Sequence, residues 1–327
     1  MENKHNTLSE VNVVVVIVTF NGQFFINKCL DSVFDSNISV KILIIDNNST
    51  DETVSIIKTK YPKVDLMICE ENLGFGKANN IGIKQAYLMG AQHIFLLNQD
   101  AFIEQDTIEK LVKVQRLNES LVLLSPLQLN GNGNYLDAKF AGHLSKSNFI
   151  RDVLSDSFLN KSIKEFYTIE YANAAAWMMS RNCIEFVGLF NPLFEHYGED
   201  FEYLHRINQK GKLIGLVTIC KAFHDRDQSI NQKLSGFRKS YKMEKSLILY
   251  RLCRKNPGLL NNLLSVLSRA IMSKHSSIIQ TLRIKCQLVM FIVTNLFNIL
   301  KKRNEGYAGS FAFFEQTPKF INTNNNY

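Results

Sequence analysis

The sequence predicts an α/β fold, in which a mostly parallel central sheet is flanked by helices and followed by a basic, amphipathic helical extension. The first hundred residues alternate short strand-like runs with helical patterns, which is typical of parallel sheets with crossover helices. The strand-like runs are almost continuously apolar, as burial on both faces requires. With 327 residues, 46% of them hydrophobic, the chain is long enough to bury such a core and to carry a further helical part.

The predicted elements follow one another at short intervals. Strand-like runs cover residues 13–19, 41–45, 64–69 and 94–97, and helical patterns cover residues 23–34, 51–60 and 76–88. The cluster Ser49-Thr50-Asp51 is a typical start signal for the second of these helices. Further along, the sequence predicts a helix that opens at Glu199 and a strand over residues 213–220.

Polar residues cluster where each of the four strand-like runs ends. The clusters are Thr19-Phe20-Asn21, Asp46-Asn47-Asn48-Ser49, Glu70-Glu71-Asn72 and Asn98-Gln99-Asp100. In a parallel sheet they lie at one edge, where open α/β sheets bind ligands. The alternative for each cluster is a turn with a helix cap, which explains Ser49 well and Asp46 less well.

Asp100 is the first candidate metal ligand, because it follows an apolar run that reads as a buried central strand. A carboxylate at this edge can hold a divalent cation against a nucleoside diphosphate, since hard cations prefer oxygen ligands. The alternative is an aspartate that caps the next helix.

The loop Gly74-Phe75-Gly76 resembles a dinucleotide-binding loop only in part. It follows the third strand instead of the first, and Asn79 stands where the last glycine of the motif belongs, so an NAD enzyme is not expected. The loop can still approach a phosphate, with Lys77 and the first amides of the next helix available to an anion.

The positive charge of the chain belongs to one segment. Residues 233–303 carry 15 Lys and Arg and a single acid, Glu244, and leucines recur there at helical spacing. This combination favours an anionic membrane surface as partner, and the alternative is a helical subdomain with a solvated basic face. Nucleic acid is not expected, because stacking aromatics are not interleaved with the basic residues. The longest apolar stretch, residues 288–300, is interrupted by polar residues and predicts no transmembrane helix.

The six cysteines lie far apart and form no C-x-x-C pair. This spacing argues against a zinc ribbon or a disulfide framework, and a reducing cytoplasm fits best.

Five strings of the sequence form a specific combination. They are VVVIVTFNG at residues 14–22, IIDNNSTD at 44–51, ENLGFGKANNIG at 71–82, LNQDA at 97–101, and the segment over 174–206 that contains Glu199-Asp200. Together they resemble glycosyltransferase family 2, in its rhamnosyltransferase-like branch. The resemblance implies a GT-A fold and an inverting transfer of rhamnose or a similar sugar from a nucleoside-diphosphate donor to an acceptor hydroxyl.

By matching position, the resemblance also implies residue roles. Thr19, Phe20, Asp46 and Asn48 would hold the nucleoside, and Asn72, Gly74, Gly76, Lys77 and Asn79 would line the nucleotide and sugar. Asp100 would be the last carboxylate of an Asp-any-Asp metal motif. Asn98 replaces the first aspartate of that motif and is kept as a donor-binding residue, so dependence on Mn²⁺ or Mg²⁺ is left open.

An acidic cluster supplies the candidate catalytic base. Inverting transfer needs a base that takes the proton of the acceptor hydroxyl. Glu199, Asp200 and Glu202 follow Gly198 at a predicted helix start, where acids are also common for helix-dipole reasons. We assign the base to Asp200, the second residue of the family's Glu-Asp motif, with Glu199 supporting it and Glu202 in a structural role.

His224 is the predicted second metal ligand beside Asp100. It follows a strand-like run and matches a histidine found after the Glu-Asp segment in many relatives. Imidazole is a suitable ligand for Mn²⁺. Arg226 is an alternative contact for the donor phosphates.

These expectations divide the chain into three parts. Residues 1–235 are a GT-A domain, with a donor-binding half at about 11–105 and an acceptor and catalytic half at about 106–235. Residues 236–310 are a helical extension that associates with the membrane or with the acceptor. Residues 311–327 are a disordered polar tail. The expected function is sugar transfer to a lipid-linked saccharide in surface polysaccharide synthesis, in the cytoplasm and peripheral to the inner face of the plasma membrane. The alternatives are a non-catalytic nucleotide-sugar-binding or scaffold member of the fold and a nucleotidyltransferase, although residues 19–22 are not the basic glycine-rich loop of that class.

Overall fold

The computed structural model describes residues 12–145, 147–195, 197–225, 237–272, 278–316 and 321–322. Its first half contains β1 (Val13–Thr19), α1 (Ile26–Phe34), β2 (Lys41–Asp46), α2 (Thr53–Lys60), β3 (Asp65–Ile68), α3 (Phe75–Leu88), β4 (His93–Asn98), β5 (Ala101–Ile103) and α4 (Thr107–Leu117). The alternation predicted from the first hundred residues is therefore present, with helix starts within three residues of the predicted ones.

The second half contains β6 (Leu121–Asn130), α5 (Ala138–Leu144), α6 (Asn148–Phe158), β7 (Phe166–Ile169), β8 (Ala176–Ser180), α7 (Arg181–Val187), α8 (Glu199–Gln209) and β9 (Leu213–His224). The helices α9 (Phe237–Cys253), α10 (Leu259–Met272) and α11 (Ile278–Tyr307) follow, and the short strand β10 (Ile321–Asn322) comes last among the described residues.

All these strands belong to one sheet, in the order β10-β3-β2-β1-β4-β8-β6-β9-β5, with β7 paired to β9. The strands β3, β2, β1 and β4 run parallel, so their carboxyl ends share one edge as predicted. The second half adds antiparallel pairs, including β8 with β4 and β5 with β9, which make the whole sheet mixed.

The apolar runs bury both faces of the sheet. Along β1, Val14 and Val16 face a core that includes α3, α7 and α8, whereas Val13, Val15 and Ile17 face a second core that includes α1, α2 and α4. Successive side chains of a strand point to opposite faces of the sheet, so these residues alternate between the two cores. This explains why the run is continuously apolar instead of alternating.

The helices α9, α10 and α11 share a separate apolar cluster. Ile248, Leu252, Val266 and Leu288 are buried in it together with Phe194, which precedes α8. A helical extension thus packs on the segment that leads into the predicted acid pair.

The helix α11 is 30 residues long, much longer than the apolar stretch from which we predicted no transmembrane span. Among the described residues, α11 is the one helix that is long and apolar enough to cross a membrane, judged by length and composition alone.

The start of the predicted disordered tail is instead ordered. Ala312, Phe313 and Phe314 are buried in the same core as α3 and α8, and the amide of Leu189 donates to the carbonyl of Ala312 at 2.8 Å. The strand β10 then pairs with β3. These residues complete a core whose other members are distant in sequence, which a polar tail over residues 311–327 does not include.

Candidate active site

Gln99 joins the ends of β1 and β4. Its Oε1 accepts from the hydroxyl of Thr19 at 2.6 Å and from the amide of Phe20 at 2.9 Å, and its Nε2 donates to the carbonyl of Phe20 at 3.1 Å. A Cβ on Gly22 would lie 2.2 Å from this Oε1, so a larger residue there would have to displace the Gln99 amide. The predicted residues Thr19 and Phe20 are therefore held at the sheet edge by a side chain to which we had given no role.

Asp46 ends β2 with a buried carboxylate. Its Oδ2 accepts from the amide of Ser49 at 2.9 Å, whereas its Oδ1 has no hydrogen-bond partner among the described residues. Burial raises the pKa of the Asp46 carboxyl above its usual range, and the bonds from Ser49 only partly oppose this. Because a buried polar atom without a partner is costly, this oxygen is suited to a hydroxyl or N–H group of a ligand. Asn48 lies beside it, exposed and with φ of 68°.

Two asparagines connect the loops after β2 and β3. Asn47 donates from Nδ2 to Oδ1 of Asn72 at 2.9 Å and accepts the amide of Leu73 at 2.8 Å. The same Oδ1 of Asn72 accepts the amide of Gly74 at 2.9 Å. Asn72 thus shapes the glycine loop, and Asn47, which we had assigned no role, holds it in place.

The glycine loop brings the start of α3 against the acceptor half. Gly74 has φ of 80°, and a Cβ there would lie 2.2 Å from the carbonyl oxygen of Glu195. A Cβ on Gly76 would lie 3.6 Å from the Cβ of Glu199, so the first turns of α3 and α8 approach each other closely. The first amides of a helix lack intrahelical partners, and at α3 they follow a glycine that has no side chain to cap them.

Two other predicted residues of α3 differ in exposure. Lys77 is partly exposed beside this helix start. Asn79 is buried, and its Nδ2 donates to the carbonyl of Phe75 at 3.0 Å within the same helix. The Asn79 amide group is therefore engaged within α3 itself.

His224 and Asp100 meet where β9 ends beside the turn after β4. The Nε2 of His224 lies 3.3 Å from Oδ1 of Asp100, and the amide of Asp225 donates to the carbonyl of Asp100 at 2.8 Å. On its other side, Nδ1 of His224 lies 3.8 Å from Oδ2 of Asp137 and has no hydrogen-bond partner within the described part of the chain. Metal-bound histidines commonly have such a carboxylate behind them.

Asn98 lies next to this pair. Its amide donates to the carbonyl of Ala175 at 2.9 Å, which joins the ends of β4 and β8. Over the residues that the structure describes, no three His, Cys, Asp or Glu side chains form a metal-binding group. The structure brings the predicted ligands Asp100 and His224 together as a pair. Arg226 lies outside the described residues.

The acid pair opens α8. Gly198 precedes it with φ of 88°, and a Cβ there would lie 2.4 Å from the hydroxyl of Ser246 on α9. Glu199 is 7% exposed, and its Oε2 has no hydrogen-bond partner among the residues described. Burial, together with the charge of Asp200, raises the pKa of Glu199 to about 8. Asp200 is partly exposed, and its Oδ2 accepts the hydroxyl of Tyr171 at 2.6 Å.

Glu202 points away from this pair into the core. It forms a buried ion pair with Arg206 at 3.0 Å, and the guanidinium also donates to the carbonyls of Val187 and Leu189. This carboxylate is committed to a structural contact.

The ends of the parallel strands and the acid pair at the start of α8 thus lie on neighbouring parts of the molecule. Comparison with known proteins identifies the fold and the family. A family model for glycosyl transferase family 2 matches residues 14–186. The chain belongs to this family. The fold and the family predicted from the sequence are confirmed, and the protein is a glycosyltransferase.

Several proteins of known activity are similar to this glycosyltransferase over parts of its length. The dTDP-rhamnosyl transferase RfbF of Shigella flexneri is 26% identical over 215 residues, which are 65% of this chain and 69% of RfbF. The glycosyltransferase GlyA of Streptococcus pneumoniae serotype 4 is 29% identical over 110 residues, 32% of this chain and 15% of GlyA. The glycosyltransferase therefore spans only a small part of GlyA.

Two solved structures share the fold. A structure of GalNAc-T7 with UDP, GalNAc and Mn²⁺ aligns with a TM-score of 0.60 at 18% identity, over 94% of this chain and 56% of that one. Residues 1–349 of TarS of S. aureus, in complex with UDP-GlcNAc, align with a TM-score of 0.53 at 15% identity, over 94% and 92% of the two chains.

Proposed function

We propose that this glycosyltransferase transfers a sugar, with inversion, from a nucleoside-diphosphate donor to a hydroxyl of a lipid-linked saccharide in surface polysaccharide synthesis. The observation that carries the proposal is the close approach of the first turns of α3 and α8. It brings free amides and Lys77, suited to a diphosphate, next to the carboxylates of Glu199 and Asp200.

The nucleoside would bind at the ends of β1 and β2. The Oδ1 of Asp46, which has no hydrogen-bond partner among the described residues, supports a contact to the base or ribose, and Gln99 fixes Thr19 and Phe20 at the neighbouring strand end. A relative that transfers from dTDP-rhamnose and a structural neighbour in complex with UDP-GlcNAc support a pyrimidine nucleotide sugar, with rhamnose or a similar sugar as cargo.

Asp100 and His224 fit a divalent cation, Mn²⁺ or Mg²⁺. One carboxylate oxygen and one imidazole nitrogen face each other, Asp137 lies behind the imidazole, and the donor's own phosphates would complete the ligand set. Bound there, the cation would neutralise charge on the leaving diphosphate. Since Asn98 carries no charge, the protein supplies a single carboxylate, and His224 becomes the second ligand.

Asp200 would act as the base. It would take the proton of the acceptor hydroxyl as that oxygen bonds to the anomeric carbon, while the bond to the diphosphate breaks and its electron pair leaves with the phosphate oxygen. The amides at the start of α3 and Lys77 would stabilise the charge that develops on the diphosphate. Glu199, held neutral by its buried surroundings, would leave Asp200 as the ionised member of the pair.

An anionic membrane surface is the proposed partner of the helical extension. Exposed apolar side chains follow one face of α11, at Ile278, Leu282, Val289, Val293 and Phe297. The opposite face contributes buried residues to the cluster shared with α9. A helix that is apolar outside, packed inside and flanked by basic residues suits an interfacial position at the inner face of the plasma membrane.

The donor proposal is tested by transfer and donor hydrolysis with a panel of nucleotide sugars, run with Mn²⁺, with Mg²⁺ and with EDTA. We expect turnover with a pyrimidine nucleotide sugar and a decrease in rate with EDTA. We expect Asp200→Asn to lower kcat by about 10²–10⁴-fold. Wild-type rates in this variant would show that the base is another group, and donor binding without turnover would support a non-catalytic member of the family.

The membrane proposal is tested with vesicles. The double variant Val293→Asp, Phe297→Asp should reduce binding to phosphatidylglycerol vesicles by about 10-fold or more, because it places charges on the apolar face. Phe158→Asp, which changes an exposed side chain on α6, is the matched control and should bind as the wild type does. Equal binding by all three proteins would overturn the proposal.

A further inference from the structure

Both oxygens of Asp200 accept a hydrogen bond from a fixed donor. The hydroxyl of Tyr171 donates to Oδ2 at 2.6 Å, and the amide of Phe201 donates to Oδ1 at 2.9 Å. The second bond is local to α8, whereas Tyr171 reaches Asp200 from the connection between β7 and β8.

The ring of Tyr171 is held on two sides. It stacks on Phe201 with ring centroids 4.1 Å apart, and the ring of His143 lies 4.2 Å away on α5. The hydroxyl is therefore positioned by α5, by the β7–β8 connection and by α8 together. Rigid support of this kind is what a reactive group needs to keep its geometry.

We propose that Tyr171 is a positioning residue that orients the Asp200 carboxylate for proton transfer and favours its ionised form. This inference rests on the proposed role of Asp200 as the base. A hydrogen bond to a carboxylate favours the charged state. It also occupies one lone pair of Oδ2, which limits the directions from which the acceptor hydroxyl can approach.

Tyr171 would keep its own proton throughout the reaction. The acceptor proton moves to Asp200, the acceptor oxygen bonds to the anomeric carbon, and the electron pair of the broken bond leaves with the diphosphate. When Asp200 becomes protonated, its bond from Tyr171 weakens, and release of the proton to water restores it.

The chain contains a matched pair of the same chemistry outside the site. The hydroxyl of Tyr167 donates to Oδ2 of Asp156 at 2.8 Å, and both residues are buried. Tyr167 lies on β7, four residues before Tyr171. Removing either hydroxyl deletes one tyrosine–aspartate bond and keeps the ring, so the two variants separate a general loss of stability from an effect on the base.

The test compares Tyr171→Phe with Tyr167→Phe in transfer assays across pH. For Tyr171→Phe we expect a kcat about 10-fold lower near neutral pH, an unchanged KM for the donor, and an acidic limb of the pH profile moved upward by about 1 pH unit. Tyr167→Phe should lower the Tm and leave the acidic limb in place. An unchanged limb in Tyr171→Phe, or equal shifts in both variants, would overturn the proposal.

A second measurement determines the titration midpoint of the Asp200 carboxyl directly. Among the described residues, the titratable side chains near Asp200 include Glu199, Tyr171 and His143, and Tyr250 of α9 faces Phe201. A ¹³C titration of the aspartate carboxyl carbons, with the Asp200 signal assigned by its loss in Asp200→Asn, separates Asp200 from these four side chains. Its midpoint should rise in Tyr171→Phe and not in Tyr167→Phe.

The role of Asp200 as the base and the role of Tyr171 can be refuted separately. If Asp200→Asn keeps wild-type transfer rates, the assignment of the base in the proposed function is wrong. If Asp200→Asn is inactive while Tyr171→Phe keeps the wild-type pH profile and midpoint, only the role of Tyr171 is wrong.

Discussion

Replacing Glu199 by glutamine should change how the stability of the protein depends on pH. The Glu199 side chain is buried at the start of α8, and its Oε2 has no hydrogen-bond partner among the described residues. Glutamine has nearly the same shape and carries no charge at any pH. The variant therefore isolates the cost of ionising this one buried group.

The sign follows from the proton balance. Burial and the charge of Asp200 raise the pKa of Glu199 from 4.5 to about 8 in the folded chain. Between these values the folded protein keeps a proton that the unfolded chain has released, so the free energy of unfolding falls as the pH rises toward 8. At about 1.4 kcal/mol for each unit of pKa, the whole interval corresponds to at most ~5 kcal/mol. Between pH 5 and pH 8 the stability of Glu199→Gln relative to the wild type should rise by about 1–4 kcal/mol.

Urea unfolding at pH 5, 6, 7 and 8 measures this difference. Trp177 is the single tryptophan and is buried in the core, so its fluorescence reports unfolding. Histidines that titrate in the same range are common to both proteins and cancel in the comparison. Glu195→Gln, which changes an exposed carboxylate four residues earlier, is the control and should show no such trend. A difference between Glu199→Gln and wild type that stays constant from pH 5 to pH 8 would show that Glu199 is already ionised in the folded protein at pH 5.

Three further variants test the metal site and the glycine loop. His224→Ala should abolish stimulation of transfer by Mn²⁺. Asp137→Asn keeps the helix cap on α5 and should raise the Mn²⁺ concentration needed for half-maximal activity by about 10-fold. A change to the carboxylate behind a metal-bound histidine commonly weakens metal binding by this amount. Stimulation that is unchanged in both would exclude His224 as a ligand. Gly74→Ala should destabilise the protein by about 1–3 kcal/mol and weaken donor binding measured by calorimetry, since its Cβ would lie 2.2 Å from the carbonyl oxygen of Glu195 at a φ of 80°. Gly142→Ala, where a Cβ meets nothing within 4 Å, is its control and should keep wild-type stability or exceed it.

The positions of the strand-end residues were predictable because they depend on local sequence. A run of apolar residues that stops at a polar one marks the end of a buried strand, and parallel pairing then brings these ends to one edge. Asp46 and Asp100 were predictable in this way: Asp46 ends β2 and Asp100 follows the end of β4, and both strands pair in parallel with β1, which lies between them.

The residues that hold the site together were not predictable in the same way. Gln99 contacts Thr19 from 80 positions away, and in the sequence it is only a polar residue in a turn. Tyr171 approaches Asp200 across 29 positions, in a connection that shows no periodicity. The first contact depends on the pairing of β1 with β4, and the second depends on the order β4-β8-β6-β9, which places antiparallel strands beside a parallel half. One sequence contains no local signal for that order.

The segment that leads into α8, comprising residues 193–195 and 197–198, joins the helical extension to the proposed catalytic groups. Glu195 pairs with Lys245 of α9 at 3.1 Å, and the hydroxyl of Ser246 donates to the carbonyl of Tyr197. On its other side the carbonyl of Glu195 abuts Gly74 of the donor loop. Deleting the helices after residue 236 would therefore remove these supports and expose Phe194, so loss of activity in such a truncation would follow even without a membrane. The membrane role has to be tested on the outward face of α11, where charges can be introduced without touching the segment that leads into α8.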